Sequence, residues 1–429
     1  MRIAILTLLA AITLSSCDQK SAKNIVKSDD YQKYLDLKDN KKLESIQKEL
    51  QFWEDKFKKA PSQLPYLSII ASNNTQLFDR TGKIEYLYKA DSLLVVLNKF
   101  YNQQITGTLR SLARNYISQH RFKEALGLAQ KAKALGDGLD ETNKLLFDVN
   151  LELGNYQEAE KSLAALPDTK GFDYLIRIAK WNDHLGDINR AVSFMKDAAK
   201  VAEKEDNESL KIWAYTNLGD ISGHAGNIEE SYSYYLKTLQ IDPNNTYALK
   251  GLAWINFSHE KNTKEAKRII AKIQERHDTA DYYLLLAEIA KFEDNKSEIK
   301  KNLDTYFNFL KSKDYGAMYT KYNVLIYAED AKKVDEAIAL SKIEIAHRPT
   351  PDSYDLLAWS LFKKGKIKEA LAIEETHIIG KSFEPKLIYH LAKILKANNK
   401  TEKISKMKED LESNIFELGP NFKSKISSL

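Results

Sequence analysis

A compact residue returns along this chain at a near-constant interval. Ala125, Ala159, Ala191, Ser231, Ala266, Ile299, Ala337, Ala370 and Ile404 follow at steps of 34, 32, 40, 35, 33, 38, 33 and 34 residues. A period in this range means one supersecondary unit used many times, not one spherical core. The unit is clearest at Tyr354–Glu374. Leu357, Ala358 and Leu361 recur at helical spacing with Tyr354 one turn earlier; Gly365 breaks the pattern; Ile367, Ala370 and Ile373 restart it. The result is two amphipathic helices joined by a tight turn, with Ala358 and Ala370 small enough to let them approach. Such a pair cannot cover its own apolar faces and must stack on copies of itself. The predicted fold is therefore an all-α solenoid. Only 16 glycines and 8 prolines in 429 residues agree with long helices.

Other units keep the same marks. Leu112-Ala113, Ile178-Ala179, Leu218-Gly219, Ala253, Leu286-Ala287 and Leu391-Ala392 supply the first-helix small pair. Gly154, Gly186 and Gly226 mark turns; Pro167, Pro243 and Pro349 close units. These positions resemble the tetratricopeptide repeat, a helix–turn–helix of about 34 residues with an aromatic, a Leu-Gly/Ala pair, a turn glycine and a second-helix Ala. The departures are Ile299 and Ile404 at the small slot and the 40- and 38-residue steps, which read as longer helices or altered crossings. The resemblance implies an all-α, right-handed superhelical solenoid whose first helices line a concave groove for a protein partner.

Residues 1–16 hold one basic residue and then an apolar run from Ile3 to Leu14, too short to span a bilayer comfortably and patterned as an export signal. Leu14-Ser15-Ser16-Cys17 resembles the lipobox of bacterial lipoproteins. It implies cleavage before Cys17 and acylation of that residue, the only cysteine in the chain. Two or three acyl chains anchor firmly where one holds marginally. Residues 17–28 read as the lipidated Cys and a short tether. Richness in Lys, Asn, Ile and Tyr resembles Bacteroidota sequences, for which the anchor implies the outer membrane, on its periplasmic or surface side.

Helices are expected from Asp29. Leu43, Ile46, Leu50, Trp53 and Phe57 form one stripe, ended by Pro61 and Pro65, and a pair follows from Leu64 to Phe100 with its turn at Thr81-Gly82. Residues 29–105 thus read as a divergent amino-terminal cap, 106–384 as the regular array, and 385–429 as a capping repeat and tail. Lys393, Lys396, Lys400, Lys403 and Lys406 give that last pair the polar outer face a cap needs. Glu417–Leu429 reads as a fraying end.

No phosphate loop, dinucleotide-binding glycine motif, H-E-x-x-H or G-x-S-x-G occurs, so the expectation is a non-enzyme without cofactor. Basic and acidic residues number 65 and 60, for a net charge of +5, which is no nucleic-acid footprint. His184, His224 and His259 fall near the ends of three successive first helices, with Asp183 and Asp220 beside the first two. This column reads either as a weak metal or pH-sensitive site or, more simply, as histidines favoured at helix carboxyl ends; no metal is predicted.

Carrying the family's groove positions onto this sequence implicates Arg110, Arg114, Glu141, Lys144, Asp148, Glu152, Asp173, Asp183, His184, Trp213, Asp220, His224, Trp254, Asp281, Glu288, Asp352, Asp355, Trp359, Lys386, Tyr389 and Lys393. Acidic residues prevail in the middle and basic ones at both ends, which suits a basic or neutral partner segment. Trp213, Trp254 and Trp359 are either partner anchors or packing between adjacent first helices. The expected function is a membrane-anchored scaffold holding a protein partner. The alternative is a glycan-binding outer-membrane lipoprotein of nutrient uptake, which would need aromatic-bearing insertions between repeats.

Overall fold

A computed structural model describes residues 24–429. The export segment, Cys17 and most of the predicted tether lie outside the described residues. Twenty-four helices and no strand occur among the described residues. The first four are α1 (Ser28–Leu35), α2 (Lys41–Lys59), α3 (Pro65–Thr81) and α4 (Ile84–Phe100). Nine helix pairs follow. They are α5 (Thr106–Ser118) with α6 (Phe122–Leu135), α7 (Leu139–Glu152) with α8 (Tyr156–Ala164), and α9 (Phe172–His184) with α10 (Ile188–Lys204). Next come α11 (Glu208–His224) with α12 (Ile228–Ile241), α13 (Thr246–Ser258) with α14 (Thr263–Gln274), and α15 (Ala280–Phe292) with α16 (Lys296–Lys311). The last are α17 (Thr320–Ala328) with α18 (Val334–His347), α19 (Pro351–Lys363) with α20 (Ile367–His377), and α21 (Pro385–Ala397) with α22 (Ile404–Ser413). Two short helices, α23 (Ile415–Leu418) and α24 (Phe422–Ser427), end the chain.

α1 packs on α12 and α14; within each later pair the helices pack on each other, and first helices also touch first helices, as α7 touches α9, α11 touches α13 and α17 touches α19. The arrangement is a solenoid of stacked helix pairs. The repeated small residue sits at the crossing within each pair. Ala125, Ala159, Ala191, Ala266, Ala337 and Ala370 are wholly buried, Ser231 and Ile404 nearly so, and only Ile299 is half-buried. The 40-residue step has the predicted cause, since α10 and α11 are both 17 residues long. Asparagine side chains cap many of the helices, as Asn207, Asn245, Asn262 and Asn295 each accept from the backbone N–H three residues on.

Successive turns of the superhelix touch. Arg348, after α18, pairs with Glu152 at the end of α7, 196 residues away, at 3.1 Å. The Gly154 turn lies against Pro349, and the Gly186 turn lies under Phe383, so closely that a Cβ there would meet the ring at 2.5 Å. At the start, the Asp278 N–H donates to Thr81 O at 3.3 Å. The offset is a little under six repeats of about 34 residues. α1 is held by the same stacking, because Tyr31 donates to Glu265 at 2.8 Å and Tyr232 to Asp30 at 3.0 Å. No described helix is long and apolar enough to cross a membrane.

The carboxyl end differs from expectation. The segment after α22 does not fray. Gly419 and Pro420 are buried, Ile426 is almost wholly so, and Phe422 packs edge-on against Tyr389 with ring centres 5.1 Å apart.

Candidate functional site: the inner wall

Successive first helices touch, as α7–α9, α11–α13 and α17–α19 do, and so form one wall of the stack. Some of their side chains are reached by water yet surrounded by protein. Tyr247 on α13 and Tyr322 on α17 are 48% and 41% exposed, but burial still raises both hydroxyl pKa values above the ordinary range.

A cavity of about 270 Å³ opens where the turns meet. Asp183 and His184 from α9, His224 from α11, Glu384 before α21 and Glu417 on α23 line it. Burial raises the Asp183 carboxyl, against the pull of His224 and His184. Burial also raises Glu417, which Asp183 pushes further. Glu384 is pushed up to about 7, by burial first and then by the Glu417 and Asp352 charges. The His184 imidazole is lowered by burial, despite Asp183 beside it. At the same cavity, Asp352 accepts from Lys321 at 2.6 Å, and Lys386 is lowered to about 8, mostly by burial and then by Lys321.

The structure sorts the residues that the sequence singles out. Asp183, His184 and His224 come together at the cavity. His184 also stacks on Tyr156 with centres 4.2 Å apart. His259 caps α13, stands exposed and is not part of the cavity. Among the described residues no cluster of His, Cys, Asp and Glu is arranged to hold a metal. Trp213 remains 40% exposed, its edge on Phe172 at 5.8 Å.

Other members of the set are engaged by the chain itself. Arg110 donates to Asp137 O and to Thr142 Oγ1, both at 3.1 Å, and Arg114 pairs with Glu141 at 3.4 Å. Asp148 accepts from Arg177 at 2.7 Å. Asp220 accepts from Tyr235 at 2.5 Å and also from Tyr247. Their spacing placed them on the inner side, but adjacent repeats use them as ties. The acidity of the middle repeats is therefore partly spent inside the wall, and the carboxyls that line the cavity are Asp183, Asp352, Glu384 and Glu417.

Asp355, Trp359 and Tyr389 are not groove surface. Asp355 is 1% exposed and bonds His390 Nδ1 at 2.9 Å. Trp359 stacks on the same His390 at 3.9 Å and donates its indole N–H to Glu329 at 3.2 Å. Packing between the first helices α19 and α21 holds this tryptophan. Behind it lies Glu374, fully buried with neither carboxyl oxygen hydrogen-bonded. Burial first, and Asp355 second, raise its pKa far above the ordinary carboxyl range.

Trp254 has a neighbour that sequence reasoning missed. Phe416 of α23 lies edge-on to it, with centres 6.5 Å apart, and against Gly223, where a Cβ would come within 2.6 Å of the ring. The Ser258 hydroxyl donates to Phe416 O at 2.6 Å. Gly419 passes over the Trp254 ring, and Asn421 donates to Glu288 O at 2.8 Å and to Glu288 Oε2 at 3.1 Å. The carboxyl-terminal segment thus crosses α11, α13 and α15 in turn. Its signal was present in the sequence: Phe416, Leu418 and Phe422 are too apolar a set for a solvated end.

Residues 214–245, the α11–α12 pair, match the family model described as tetratricopeptide repeat. No curated protein sequence matches the chain. Solved structures with similar architecture include Pseudomonas aeruginosa PilF, at 15% identity and TM-score 0.35, covering 51% of this chain and 96% of that one. A tetratricopeptide repeat protein from Parabacteroides merdae matches at 18% identity and TM-score 0.35, covering 60% of this chain and 96% of that one. Yeast Tom70 matches at 14% identity and TM-score 0.36, covering 90% and 92%.

Proposed function

We propose that this chain is a lipid-anchored scaffold of a bacterial cell envelope that holds a segment of a partner protein against its inner wall. One observation carries the binding half of this reading: a stretch of polypeptide, the chain's own residues 416–421, already lies along first helices α11, α13 and α15. The wall offers it a bare glycine for an aromatic ring, a tryptophan edge and hydrogen-bonding groups at successive helices. Contacts of this kind are shallow and additive, as peptide recognition on a repeat surface requires. Asp183 and Glu384, carboxyls lining the cavity, favour a partner segment carrying positive charge.

The anchoring half is supported by the resemblance of Leu14–Cys17 to a lipobox, and the reading takes the outer membrane of a Bacteroidota-like cell as its location. No step of this function asks for a cofactor, a nucleic acid or catalysis. The test is crosslinking of the tagged, lipidated protein in native membranes, read by mass spectrometry. A protein recovered in stoichiometric amount is the expected result; recovery of none would overturn the reading.

A further inference from the structure

Residues 416–421 engage the inner wall as a ligand would, and every contact can be read as a recognition rule. Phe416 fills the space that Gly223 leaves bare, with the Trp254 edge on its other side. Gly419 has φ +83°, and a Cβ there would lie 3.1 Å from the Trp254 ring, so both backbone and space call for glycine. Pro420 is buried, and the Asn421 amide spans the backbone and side chain of Glu288. The Ser258 hydroxyl reads the main chain at Phe416. The pattern is an aromatic residue, a glycine three positions on, then a proline and an amide. Its receptor is built from three successive first helices, the same elements that carry the predicted groove positions Trp254 and Glu288.

The segment is held on the wall by local contacts alone, while α24 beyond it packs on α22. It follows the last helix pair, and its hold on α11, α13 and α15 comes from separate side-chain contacts, with no backbone pairing to those helices. α23 has only four residues and cannot persist by itself once lifted from the wall.

We infer that the wall formed by Gly223, Trp254, Ser258 and Glu288 is a recognition surface for a partner segment of the form aromatic-x-x-Gly-Pro-Asn, and that residues 414–422 occupy it in cis and compete with that segment. The inference rests on the scaffold reading and names the surface and the chemistry of its partner. It adds regulation: the affinity that a partner experiences is the intrinsic affinity reduced by the fraction of chains whose wall is free.

The experiment uses the full-length protein and a fluorescent synthetic peptide of residues 412–424, with binding read by anisotropy. The wild-type chain should bind the peptide at least ten-fold more weakly than Gly419→Ala or Phe416→Ala, which loosen the segment in cis. Adding Trp254→Ala to either variant should abolish that binding. Peptide binding equal in wild type and variants, or absent from variants whose far-UV circular dichroism and melting match wild type, would overturn the inference. If the variants fold poorly, hydrogen exchange on the wild-type chain decides. Excess peptide should speed exchange at amides 415–422 while those of α21 stay protected, and an unchanged rate would overturn it. The two readings fail separately. A partner crosslinked in membranes without peptide binding in trans refutes self-occupancy alone; peptide binding without any partner in membranes refutes the scaffold alone.

Discussion

The packing of α11 on α13 depends on one ring, and a single methyl group tests it. Tyr235 of α12 sits between Gly219 and Gly251. A Cβ built on Gly219 would lie 2.4 Å from the ring and one on Gly251 2.3 Å from it, against an ordinary carbon–carbon contact of about 3.5–4.0 Å. The ring cannot step aside, because the opposite glycine bounds it and its hydroxyl is tied to Asp220 at 2.5 Å. Gly251→Ala therefore overpacks the crossing, at a cost in the upper part of the roughly 1–3 kcal/mol range. Alanine returns about 1 kcal/mol through helix propensity, leaving a net loss of about 1–2 kcal/mol. Gly127 on α6 is the control, since nothing lies within 4 Å of a Cβ there, and Gly127→Ala should gain about 1 kcal/mol. Urea denaturation followed by circular dichroism measures both. In a solenoid the loss should stay near the altered repeats, so hydrogen exchange should rise in α11–α14 first. In a Tyr235→Ala background the same Gly251→Ala change should become neutral or stabilising. If Gly251→Ala stabilised the wild-type chain as Gly127→Ala does, the clamp on Tyr235 would not exist.

Glu374 gives a pH dependence of definite sign. Its folded pKa is raised, so its contribution is fully present below the unfolded value of about 4.3 and is lost as pH rises toward the folded value. Glu374→Gln, facing Asp355 with His390 beyond it, should flatten the fall in stability above pH 5 and restore at least about 1.4 kcal/mol at pH 8, one pKa unit's worth; denaturation midpoints across pH check it. Ala370 is wholly buried at the α19–α20 crossing, so Ala370→Phe should cost roughly 1–3 kcal/mol, and an unchanged melt would contradict the repeat register. Cys17→Ser should move the protein from the membrane to the soluble fraction and end incorporation of labelled palmitate; membrane retention would refute the anchor.

The helix pairs were legible because their determinants are local. Apolar spacing, a turn residue and a small residue at the crossing all fall within about 34 residues, and Pro65, Thr106 and Pro385 begin helices where the pattern places them. Some turns were not marked by glycine. His120, Lys261, Asp294 and Asn399 take the left-handed turn conformation that Gly154 and Gly186 take elsewhere, so those boundaries carried a weaker signal. The contact between superhelical turns could not be read at all. It emerges from small rotations summed over almost six repeats, and no motif encodes the meeting of Arg348 with Glu152. The site was legible by position and not by role. Slot spacing put Asp148, Asp220 and Asp355 on the inner side, yet their hydrogen bonds go to Arg177, Tyr235 and His390 on neighbouring helices. Glu384 and Glu417 lie outside any slot and reach the cavity only because the turns stack.

Site-specific photocrosslinking in native membranes tests the central claim most directly. A photoreactive residue at Trp213, exposed on a first helix, is compared with one at Lys200, exposed on second helix α10. The account predicts one discrete protein adduct from the Trp213 position and none from Lys200. Equal labelling from both positions, or no protein adduct from Trp213 while the anchored protein is intact, would contradict it.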